Sequence, residues 1–113
     1  MNFKSRQDFI EYIKDMCSRQ YVIVKFSADW CGPCKQIQQY CKTAFDNIDQ
    51  TSIKCIEINV DASFDIFAFL KKQKMIKGIP TIFLYRPGNN SYIPDESVSG
   101  TDIHELNYFF DNI

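Results

Sequence analysis

The sequence predicts a layered α/β domain with helices on both faces of a mixed sheet. Segments of helical period alternate along the chain with short β-branched and aromatic runs. Two of those runs, Tyr21 to Phe26 and Ser52 to Val60, read as strands buried on both faces. The last two runs are joined through Pro87-Gly88-Asn89-Asn90, a turn that fits an antiparallel hairpin.

In chain order, Ser5-Arg6-Gln7-Asp8 reads as a helix start. Phe9, Ile13 and Met16 then follow the i, i+4, i+7 spacing of one helical face, to about Cys17. Tyr21 to Phe26 is the first clear strand, interrupted by a single Lys25. Ile37, Tyr40, Cys41, Ala44, Phe45 and Ile48 resume helical spacing, so a helix is expected to begin inside Cys31-Gly32-Pro33-Cys34 with Pro33 in its first turn. Ser52 to Val60 is the next strand and Ser63 to Met75 the next helix, its end carrying Lys71, Lys72 and Lys74 where cations suit the dipole. Those lysines read as a solvated helix end rather than a nucleic-acid patch. Gly78-Ile79-Pro80 leads into the strand Thr81 to Tyr85, a ragged strand runs to Ser99, and Gly100 precedes a final helix opened by Thr101. Asn2 to Lys4 is a weak further strand.

The chain has 113 residues and supports one domain with a real core. A formal charge of -1 gives no field favouring nucleic acid or an anionic membrane surface. The first seventeen residues lack the apolar run of a signal peptide, and no run of eighteen apolar residues exists, so the expected location is cytoplasmic. Five cysteines are too few for a disulfide framework.

Cys31 and Cys34 straddle a predicted helix N-terminus at a strand-to-helix junction, where α/β folds place sites. Disulfide exchange needs an attacking thiolate and a second thiol near enough to resolve the mixed disulfide. The helix terminus favours the thiolate, which assigns Cys31 as nucleophile and Cys34 as resolving thiol. Pro33 removes an amide donor and fixes φ, while Gly32 leaves the approach to Cys31 open. Zinc is disfavoured because the other ligands are only Cys17, Cys41, Cys55 and His104, without a second Cys-x-x-Cys. No metal or cofactor is expected. A static structural disulfide conflicts with a reducing compartment. A chance pair of buried thiols fits poorly with the junction beside an aromatic residue.

Phe26-Ser27-Ala28-Asp29-Trp30-Cys31-Gly32-Pro33-Cys34-Lys35, followed by Asn59-Val60-Asp61 and Gly78-Ile79-Pro80-Thr81, resembles thioredoxin across essentially the whole chain. The resemblance implies one thioredoxin-like domain over residues 1–113, with a central mixed β-sheet of four to five strands flanked by four helices. It implies a monomeric protein-disulfide reductase, cycling a redox-active Cys31–Cys34 disulfide and recharged by an NADPH-dependent thioredoxin reductase. Trp30 would cover the site, Pro80 would be a cis proline facing the sulfurs, and Ile79 would offer its backbone to substrate. Gly100 matches a glycine that lets substrate approach. A strand-entry proline and a plain turn glycine are the alternative readings of Pro80 and Gly100.

Two positions depart from the family. Thioredoxins usually carry a buried Asp six residues before the nucleophile, and here it is Lys25; a Lys often found two before Asn-Val-Asp is Glu57. Either charge alone in the sheet would be expensive, so an inverted cross-strand ion pair is expected, with Glu57 as proton acceptor and Lys25 stabilising thiolates. Alternatively both side chains snorkel to solvent and do nothing catalytic. Cys41 is expected in the core, His104 on the surface, and Cys17 and Cys55 show no partner. The regions Ser63 to Lys77 and Gly88 to Gly100 are longer than the family pattern. Besides the reductase, the fold could serve as a binding or assembly module with reduced catalysis. Retention of both cysteines, Pro33 and Ile79-Pro80 argues against that module. An oxidase or isomerase would be expected to have His in place of Pro33.

Overall fold

The computed structural model describes residues 1–113. Its elements are α1 (Arg6–Met16), β1 (Tyr21–Ser27), α2 (Gly32–Gln36), α3 (Gln38–Asp46), β2 (Ile53–Asn59), α4 (Phe64–Lys72), β3 (Thr81–Tyr85), β4 (Glu96–Ser99) and α5 (Ile103–Asp111). The sheet order is β2-β1-β3-β4, with β1 parallel to β2 and antiparallel to β3, and β4 antiparallel to β3. The parallel pair forces a crossover, which α2 and α3 provide.

Strand alternation sorts the core into two layers. Val22, Val24, Phe26, Phe83 and Tyr85 face Phe9 and Ile13 of α1 and Ile66 and Leu70 of α4. Ile23, Ile82 and Leu84 face the opposite way, onto Ile37, Cys41, Leu106 and Phe109. Lys25 shares the second face by register with Ile23, and it is the only charged residue in the interior, at 2% exposure.

The outcome departs from the expected elements in four places. β2, expected to bury both faces, is an edge strand on which only Ile56 and Ile58 are buried. The helix expected through Ile48 breaks at Ile37, which leaves helical geometry at φ -102° while burying its side chain, so five helices rather than four flank the sheet. No Gly or Pro marks that break. Asn2 to Lys4 does not join the sheet, because side chains take its bonds: Phe3 N–H donates to Ser63 Oγ at 2.8 Å, and Asn2 Oδ1 accepts from Asn59 N–H at 3.2 Å. The last helix is capped by Asp102 rather than Thr101, its carboxylate accepting from both His104 and Glu105 N–H. At the start, Ser5 caps α1 by accepting from Asp8 N–H at 3.2 Å.

The lengthened loop between β3 and β4 is tied to the body. Gly88 N–H donates to Cys17 O at 2.6 Å, Tyr85 Oη donates to Tyr92 O at 2.7 Å, and Tyr92 packs edge-on against Phe69. No helix is long and apolar enough to cross a membrane.

Candidate active site

β1 ends at Ser27, and Ala28-Asp29-Trp30 carries the chain into α2 at the C-terminal edge of the sheet, beside the strand where its order reverses. Cys31 is the N-cap of α2: its φ/ψ of -84°/107° is extended, and its Sγ accepts from Cys34 N–H at 3.1 Å. Pro33 fills the first helical turn, where its missing donor costs nothing. Cys31 and Cys34 are joined as a disulfide, their Cα atoms 5.3 Å apart. Once that bond is reduced, the Cys34 amide is already aimed at the sulfur that must carry negative charge.

The two sulfurs belong to different spaces. Cys31 lines an open groove with Trp30, Pro33, Phe67 and Ile79. Cys34 lines a separate pocket, also open to solvent, with Lys25, Gln38 and Glu57. A partner entering the groove therefore meets Cys31 first. Gly32 has open space where a Cβ would point.

Across the groove the Ile79–Pro80 peptide is cis, and Ile79 O lies 3.7 Å from Cys31 Sγ. The loop is pinned from behind: Thr81 Oγ1 donates to Gly78 O at 2.6 Å and sits 2.9 Å from Ser99 Oγ. Gly100 N–H donates to Pro80 O at 3.0 Å, from a φ of +90° that favours glycine. A Cβ on Gly100 would meet no atom of the chain, so within the protein itself it is the backbone angle that favours glycine.

Trp30 is 68% exposed, and its Nε1 donates to Asp61 Oδ2 at 2.8 Å. Asp61 is in turn held by Asn59, whose Oδ1 accepts from the N–H groups of Asp61 and Ala62. In the sequence Asp61 stands out only as part of Asn59-Val60-Asp61. The signal for its role was the Asn-x-Asp spacing just past a strand, which favours this turn.

Beneath the disulfide, Lys25 and Glu57 are register partners on β1 and β2, with Nζ to Oε2 at 3.2 Å. The lysine is inside and the carboxylate reaches solvent. The remaining thiols are free. Burial pushes Cys17 and Cys55 up to about 11. Burial raises Cys41 too, opposed by the nearby Lys25 charge. None is poised as a nucleophile.

The thioredoxin family model matches residues 1–111. The chain belongs to the thioredoxin family. It is 32% identical to a thioredoxin of Oryctolagus cuniculus over 75% of this chain and 74% of that one. It is 29% identical to Thioredoxin 3 of Plasmodium falciparum over 79% of this chain, a match spanning 46% of that longer relative. The solved thioredoxin of Trichomonas vaginalis superposes with a TM-score of 0.74 at 20% identity, covering 99% of this chain and 93% of that one, and shares the thioredoxin fold. Family membership together with the Cys31–Cys34 pair supports a thiol-disulfide oxidoreductase.

Proposed function

We propose that this thioredoxin-family protein reduces disulfides in other proteins through a Cys31–Cys34 dithiol/disulfide cycle, as a cytoplasmic monomer recharged by an NADPH-dependent thioredoxin reductase. The observation that carries this reading is the division of the two sulfurs, Cys31 toward the groove and Cys34 toward the pocket containing Lys25 and Glu57.

In the reduced protein the Cys31 thiolate attacks one sulfur of a partner disulfide. A Cys31–partner bond forms, the partner's S–S bond breaks, and the departing partner thiolate takes up a proton. Glu57 accepts the proton of Cys34, and the Cys34 thiolate attacks Cys31 Sγ, leaving the Cys31–Cys34 disulfide and releasing the second partner sulfur as a thiolate that takes up the proton held by Glu57. Lys25 favours both thiolate forms by its charge. Two electrons from the reductase then restore the dithiol. Trp30, Gly32, Pro33 and Ile79 form the surface on which the partner segment lies, with Ile79 offering its backbone, while Pro80 is buried behind them and Gly100 fixes its loop.

The test mixes the reduced protein with a disulfide-containing protein substrate. The wild type is expected to release free thiols from the substrate. Cys34→Ser is expected to accumulate a covalent adduct through Cys31 that dithiothreitol dissolves, and Cys31→Ser to form none. Adduct formation through a different cysteine, or no thiol release by the wild type, would overturn the reading.

A further inference from the structure

The groove beside Cys31 is apolar except for one charged lining residue, Lys71. Lys71 closes α4 with Lys72, its Nζ standing 5.7 Å from the Phe67 ring in the groove wall. The helix then ends in a tight reversal, with Lys74 at φ 62°, Lys74 N–H donating to Lys71 O at 3.0 Å, and Met75 N–H donating to Leu70 O at 2.9 Å. That reversal returns the chain through Lys77 to Gly78 and Ile79, which line the groove again. Lys71, Lys72, Lys74 and Lys77 are all exposed. None of the four enters an ion pair; the pairs are Arg6–Asp65, Lys25–Glu57 and Arg86–Glu96. No Asp or Glu occurs between Asp65 and Asp95, so the stretch that closes α4 and returns to the groove carries these four lysines and no acid of its own. The carboxylate that touches the groove wall, Asp61, accepts the bond from Trp30 Nε1.

We propose that this lysine rim makes the protein select disulfides whose flanking residues are acidic, Lys71 and Lys77 meeting carboxylates on the segment that lies in the groove. The proposal rests on the reductase reading and names the substrate class for that same site. Charge at a rim acts mainly on encounter and register, so the preference belongs in the second-order rate and is screened by salt.

The experiment uses two disulfide-bonded peptides of equal length, one with Glu and one with Lys flanking the cysteines. Each is mixed with pre-reduced protein, and thiol release is followed at low and at high salt. At low salt the acidic peptide is expected to react faster by about tenfold, the lower end of what electrostatic steering supplies. The two rates should converge at high salt. Lys71→Gln with Lys77→Gln should shrink the preference, and Lys71→Glu with Lys77→Glu should reverse it. Equal low-salt rates for the two peptides, or a preference unchanged in the double variants, overturn the proposal while leaving the reductase reading intact. Reduction of neither peptide overturns both.

Discussion

Lys25 Nζ lies 3.2 Å from Glu57 Oε2, joining a side chain 3% exposed to one 57% exposed. The two ends of this ion pair therefore answer differently to loss of the partner. Removing the Glu57 charge strands an ammonium in the interior, whereas removing Lys25 leaves a carboxylate that water already solvates. Glu57→Gln is expected to lower unfolding stability by about 1–3 kcal/mol, and Lys25→Met to be neutral or stabilising. Denaturant midpoints of the two variants check this, and the opposite order would show that the lysine does not depend on its partner.

The same pair faces Cys34 across one pocket, which predicts functional effects separable from stability. A buried cation favours the thiolates of the reduced state, so Lys25→Met should make the couple more reducing by about 30 mV, equivalent to 1.4 kcal/mol. With Glu57 in its proposed role as acceptor of the Cys34 proton, Glu57→Gln should slow the resolving step and change the pH profile of turnover. Profiles identical to wild type in both variants would remove Lys25 and Glu57 from the proton-handling role.

Burial holds Cys17 and Cys55 near 11, well above an ordinary value of 9.0, and also raises Cys41 and Tyr85. Folded-state values raised in this way mean that the unfolded chain gives up these protons first. Stability contributed by these thiols is fully present below pH 9 and falls as pH climbs through about 11. After mild reduction at neutral pH, iodoacetamide should label Cys31 well before Cys17, Cys41 or Cys55, as peptide mapping would show.

Trp30 is held over the site by one bond, from its Nε1 to Asp61. Asp61→Ala should free the indole and lower kcat/KM several-fold, with a stability change under about 1 kcal/mol because the bond is exposed. As the protein has a single Trp, its fluorescence change between oxidised and reduced forms reports the ring directly and should weaken in the variant.

Much of the fold was legible because helical and strand periods are clean in this chain, and Pro87-Gly88 marks the hairpin. The break at Ile37 was not, since it lacks any breaker residue. Asn2 to Lys4 does not read as a loop in sequence because what ties it down is distant: the Phe3 amide bonds the Ser63 hydroxyl and the Asn2 side chain bonds the Asn59 amide, which local pattern cannot anticipate. At the site, Lys25 opposite Glu57 was inferable from the cost of an unpaired charge in a sheet, and the register places them together. The hold of Asp61 on Trp30 spans 31 residues and needed the folded chain to be seen. So did the approach of Lys71 to the groove, because its helix reads locally as a solvated end.

The reduction potential of the Cys31–Cys34 couple in the wild-type protein tests most directly whether these two cysteines form a reducing, catalytic couple. Equilibration with a glutathione buffer, read by thiol alkylation of Cys31 and Cys34, should give a value near -270 mV, in the thioredoxin range. A potential near that of a strong oxidant, about -120 mV, would contradict a reducing couple.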